Sequence, residues 1–103
     1  MKIVQVRPRE RARLYDNLIK REAAIREKGR GTFFRVGPKR QKSAKWQHRR
    51  YKGSVTLARE LADGVTAKIR SASQSEWQML SAFLGFLDRH CGDQVSAITI
   101  QYR

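Results

Sequence analysis

Apolar residues recur along the chain with two periods, and the switches between them mark out the elements. Ile3, Val4 and Val6 give a short strand over residues 1–6, closed by Arg7-Pro8. Pro8 lacks an N–H and suits the first turn of a helix. From about Arg9 to Lys28, Leu14, Leu18 and Ile25 share one helical face, widened by Ala12, Tyr15, Ile19 and Ala23. The opposite face collects Arg9, Arg13, Lys20, Arg21 and Lys28, and Gly29 ends the helix. Thr32–Val36 is strand-like. Gly37-Pro38 then opens a run with no apolar residue but Ala44, expected to be a mobile basic loop over about 37–46. Trp46–Tyr51 reads either as a strand or as the ordered shoulder of that loop.

Ser54–Leu61 and Val65–Ser71 are expected to form a hairpin around Ala62-Asp63-Gly64. A three-residue loop with Gly64 left-handed pairs Leu61 with Val65, Leu57 with Ile69 and Val55 with Ser71, which keeps the apolar residues on one face. That register turns Arg59 inward, opposite Ala67. Ser73 and Glu76 have the spacing of a capping box, and a helix follows to about Cys91, stopping at Gly92. Trp77, Leu80, Leu84 and Leu87 line its centre, flanked by Met79, Phe83 and Phe86, so this is the core helix. Gln94–Tyr102 alternates, with Ile98, Ile100 and Tyr102 on one side. The fold class is α+β: one domain over residues 1–103, a mainly antiparallel sheet of four to five strands, two helices on one face, and the order β-α-β-β-β-α-β.

The middle portion, α-β-β-β-α, resembles double-stranded-RNA-binding domains in element order, although SQSEW stands where that family carries its basic cluster. KGRGTFFRV (28–36) is similar to the aromatic strand of RNA-recognition motifs, but Arg30 and Thr32 depart from that pattern. Phe33 and Phe34 point to opposite faces of a strand, so at least one of them belongs to the core.

Charge changes the picture most. The chain carries a formal net charge of +14, and all of it lies in the first half. Met1–Gly53 holds 18 Lys and Arg against four acids, whereas Ser54–Arg103 holds five of each. Such an excess destabilises a compact chain by self-repulsion and points to a polyanionic partner. Cys91 is the single cysteine, which excludes an intrachain disulfide framework. With no signal-like N-terminus and no run of about 20 apolar residues, the expectation is a cytoplasmic protein without a membrane span.

The expected contact surface is Lys39, Arg40, Lys42, Lys45, Trp46, Arg49, Arg50, Tyr51 and Lys52, with Arg9, Arg13 and Lys20 as an extension. Cations neutralise phosphates, and aromatics between them stack on unpaired bases, so RNA or single strands are favoured. The expectation is therefore a non-catalytic nucleic-acid-binding domain. Two alternatives use the same segment. One is a small metal-independent endoribonuclease of toxin type with His48 as its acid–base group. The other is an adaptor or assembly protein that docks its basic surface on an acidic protein. One Cys, two His and no clustered carboxylates give no metal site, and no phosphate loop or dinucleotide fingerprint implies a cofactor. His90 and Cys91 belong to the core or its boundary.

Overall fold

Six strands form one antiparallel sheet in the order β2-β3-β4-β5-β1-β6, with both helices packed on the same face. The computed structural model describes residues 1–38, 40–72 and 74–103. The elements are β1 (Lys2–Pro8), α1 (Leu14–Glu27), β2 (Phe33–Val36), β3 (Ser43–His48), β4 (Ser54–Arg59), β5 (Val65–Arg70), α2 (Glu76–Cys91) and β6 (Val95–Tyr102). The strand count exceeds the expected four to five because Ser43–His48 is a full strand. Ala44, Trp46 and His48 alternate inward there, so the basic connection is confined to 37–42. Four strands therefore lie between the helices, one more than the double-stranded-RNA-binding order.

The core forms where the inward row of every strand meets α1 and α2. Val4, Val6, Phe33, Trp46, Val55, Leu57, Val65, Ala67 and Ile69 face Leu14, Leu18, Met79, Leu80, Phe83 and Leu87. Phe33, Trp46, Phe83 and Phe86 make an aromatic cluster at the β2–β3 end, with Trp46 and Phe86 centroids 5.2 Å apart. Gly53, at φ +128°, lets the β3–β4 turn lie against this core. A Cβ there would stand 2.2 Å from the Arg70 carbonyl and 2.8 Å from the Met79 sulfur.

Several expectations are corrected. The strand thought to stop at Arg7-Pro8 runs through Pro8, where the β1–β6 register shifts. Pro8 is thus not in a helix. Arg9–Arg13 forms a turn with Arg11 at φ +66°, which delays α1 to Leu14. In the β4–β5 hairpin Leu57 pairs with Ala67, Val55 with Ile69 and Arg59 with Val65. The slip from the expected register is two residues, so every side chain keeps its face. Ala62 and Asp63, not Gly64, take the left-handed conformation, and Leu61 is left at the tip, 95% exposed. The slip also lets the inward-pointing Arg59 ion-pair with both Asp16 and Asp63.

In α2, Met79, Phe83 and Phe86 join Leu80 and Leu87 in the core, whereas Trp77 is 58% exposed and Leu84 half-buried. The apolar stripe is rotated toward Met79, Phe83 and Phe86, and the two phenylalanines meet Phe33 and Trp46 in the aromatic cluster. α2 opens on Glu76. Its carboxylate lies 2.8 Å from Lys2 Nζ and 3.2 Å from the Met1 amino group, which together hold it below its usual pKa. Ser73, its expected partner, lies outside the described residues. Among the described residues, no helix is long and apolar enough to cross a membrane.

Candidate nucleic-acid interface

Because both helices cover one face, the other face of the sheet is open, and strand alternation decides which side chains it displays. One row crosses all six strands: Val36, Lys45, Thr56, Lys68, Ile3 and Gln101 are successive cross-strand partners. A second row runs Ser43, Ala58, Thr66, Gln5 and Thr99. Beside the first row lie the Phe34–Gln47 and Ser54–Arg70 pairs, and Arg7 extends the face beyond the second. Lys45, Lys68, Arg70 and Arg7 are all exposed.

The charge is sorted by layer. Seven cations lie in strands, and among the described residues no strand contains an acid. All nine acids of the chain fall in the helices and connections. Four of the strand cations, Arg7, Lys45, Lys68 and Arg70, alternate onto the open face. Lys2, Arg35 and Arg59 point toward the helices, where Lys2 meets Glu76 and Arg59 meets Asp16 and Asp63. Two strand spacings put the Lys45 and Lys68 Cα atoms about 10 Å apart.

The rim at the β2–β3 corner is ordered by short contacts. The Arg49 N–H donates to the Thr32 carbonyl at 2.8 Å, and its Nε donates to the Gly31 carbonyl at 2.9 Å. Its guanidinium lies 5.1 Å from the centroid of the Phe34 ring. Phe34 is therefore the half-buried aromatic of the open face, pre-stacked on one side by a cation.

His48 sits on the inward side of the same corner. Its Nδ1 accepts the N–H of Arg50 at 3.0 Å and of Tyr51 at 3.3 Å, tying down the turn after β3. The ring stacks on Tyr51 at 4.7 Å and meets Phe33 edge-on at 4.9 Å. Burial, and secondarily the Arg50 guanidinium, hold its pKa below the ordinary 6.5. A neutral ring whose Nδ1 is occupied by the backbone serves as a brace.

The expected contact residues separate accordingly. Lys45, Arg49, Arg50 and Lys52 are exposed, and Tyr51 is half-buried between His48 and Arg50. Trp46 must be withdrawn: it is 0% exposed, because its even-numbered position on β3 faces the helices. Arg40 and Lys42 are exposed, and Arg40 walls a cleft of about 330 Å³ with Tyr15, Lys20 and Arg59 on the helix side. Lys39 lies outside the described residues. Arg13 and Lys20 belong to the helical layer, whereas Arg9 lies near Arg7 along a groove at the end of the open face.

Sequence reasoning missed Phe34, Lys68, Arg70 and Arg7. The signal was available: counted strand by strand, acids vanish, and alternation puts these four outward. His90 packs on Phe86 at 4.6 Å and Cys91 is buried, with burial pushing its thiol pKa up, in keeping with a packing role. Among the described residues no group of His, Cys, Asp or Glu could hold a metal ion. No family model, no curated protein and no solved structure matches the chain, so any reading of its function stands on the chemistry of this face.

Proposed function

We propose that the chain is a non-catalytic nucleic-acid-binding domain that receives single strands, RNA in particular, on the open face of its sheet. The observation that carries this is the sorting of charge by layer: an open sheet face with Lys45, Lys68, Arg70 and Arg7 and no carboxylate in its strands, Glu10 and Glu60 lying only at the groove beyond Arg7. Phosphates dock on the cations with release of counterions, while the Phe34–Arg49 pair offers a platform for an unpaired base. Thr56, Thr66, Gln5, Gln47 and Thr99 supply neutral donors and acceptors between them. A flat face without a protruding recognition helix suits a splayed single strand better than the major groove of a duplex.

The reading gives His48 no chemical role, since the ring is buried and the Nδ1 lone pair accepts from the turn after β3. Fluorescence anisotropy with a labelled single-stranded RNA, repeated over a salt series, tests the proposal. Log affinity is expected to fall linearly with log salt, and the RNA is expected to be recovered intact. Binding only to an acidic protein, or metal-independent cleavage abolished by His48→Ala, would replace it with one of the two alternatives.

A further inference from the structure

We propose that β6 is the dimerisation edge of this protein, pairing antiparallel with β6 of a second copy about a two-fold axis. Among the described residues β6 pairs with β1 alone, so one side of an eight-residue strand is open. Which backbone groups face that side follows from the ladder. The Met1 amino group donates to the Arg103 carbonyl at 2.9 Å, and the Arg103 N–H donates to the Met1 carbonyl at 2.8 Å. Antiparallel alternation then makes Ile3–Gln101 and Gln5–Thr99 the next bonded pairs. The N–H and C=O groups of Ile98, Ile100 and Tyr102 therefore point out of the sheet.

Long uncharged edges invite pairing, and this one lacks the usual protection. Val95–Tyr102 carries no charged residue and no proline, in a chain whose net charge is +14. Lys2, 5.1 Å from the Tyr102 ring, is balanced by Glu76 at 2.8 Å. The opposite edge is different: β2 has only four residues, includes Arg35 and is flanked by Arg49. Two strongly cationic copies repel wherever their charged surfaces meet, so the neutral edge is where they can approach.

The edge is also self-complementary. Centring the axis on Ile100 pairs it with Ile100 of the second copy and sets each Ile98 against a Tyr102, a favourable β-branched–aromatic pair. Those residues are left open in one chain, Ile98 at 41% and Tyr102 at 67% exposure. The two sheets would join into one of twelve strands, which places the open faces side by side.

Sedimentation and amide hydrogen exchange on the full chain test this. The expected mass is twice 12.0 kDa, with association tightening as salt rises, because the copies carry like charge. The amides of Ile98, Ile100 and Tyr102 are expected to be protected at high protein concentration and to exchange faster on dilution. Ile98→Lys should weaken the dimer by about tenfold or more by burying an unpaired cation, while Val36→Lys on the opposite edge should not. A monomer at all concentrations, or a dimer in which those three amides exchange freely, would overturn the proposal. The exchange measurement stands even if Ile98→Lys does not fold.

Discussion

Lys45 and Lys68 are paired to the same residue, Thr56, from its two sides, so two ammonium groups from different halves of the sequence share one row of the open sheet face. Neither has a carboxylate in its own strand. Replacing Lys45, Lys68 and Arg70 together by Ala should leave the fold intact, since all three are exposed, and should flatten the salt dependence of single-strand binding by about two units in log–log slope. The anisotropy salt series measures this directly, and an unchanged slope would take the face out of the binding surface.

The two aromatic neighbours of this row should behave oppositely. Trp46→Ala removes a fully buried ring from the aromatic cluster and is expected to cost about 3–5 kcal/mol of stability in denaturant unfolding. Phe34→Ala should unfold the domain little but weaken RNA binding by about 1–3 kcal/mol, the loss of one stacked base. The reverse ranking would restore Trp46 to the surface.

The pH dependence of stability carries the signature of His48. Its folded pKa lies below 6.5, so the folded chain binds protons less readily than the unfolded one. The stabilisation is present above about 6.5 and is lost as pH falls from there toward the folded pKa, because protonated Nδ1 can no longer accept from Arg50 and Tyr51. His90, also lowered by burial and then by Arg21 and Arg89, adds a slope of the same sign. Unfolding of His48→Gln between pH 7 and pH 5 should show a shallower decline than the parent protein, with the His90 share remaining. An unchanged slope would mean that His48 does not brace the turn.

Leu57 and Leu61 report the hairpin register. Leu57→Ala is expected to cost about 2–5 kcal/mol, since Leu57 is buried opposite Ala67. Leu61→Ser should change stability by no more than about 0.5 kcal/mol, because the side chain stands free at the tip. Comparable losses at both positions, measured by chemical denaturation, would favour the alternative pairing.

The elements were legible in the sequence wherever apolar spacing was strong: β1, α1, both hairpin strands, α2 and β6 are all present, although β1 ends later, α1 starts later and the buried stripe of α2 is rotated. The failures have local causes. Ser43–His48 hid as a loop because Lys42 and Lys45 dilute its alternation, although Ala44, Trp46 and His48 keep a period of two. The hairpin slipped because periodicity fixes a face but cannot distinguish registers two residues apart, and the ion pair of Arg59 with Asp16, far away in sequence, is not visible in the hairpin's own residues. The proposed binding face was half legible. A linear run of charge located Lys45 and Arg49, but Lys68 and Arg70 sit in a segment whose net charge is zero and join the surface only when strands are laid side by side.

The central claim is that the open face, and not the helical layer or the 37–42 connection, meets the nucleic acid. Methyl NMR resolves the two layers in one titration with a single-stranded RNA oligonucleotide. Ile3, Thr56 and Thr66 report the open face, whereas Ile19, Ile25 and Leu84 report the helical side. The expected result is concentration-dependent shifts at Ile3, Thr56 and Thr66, accompanied by the Phe34 ring, with the helical methyls unmoved. Shifts confined to Ile19, Ile25 and Leu84, with the open-face methyls silent, would contradict it.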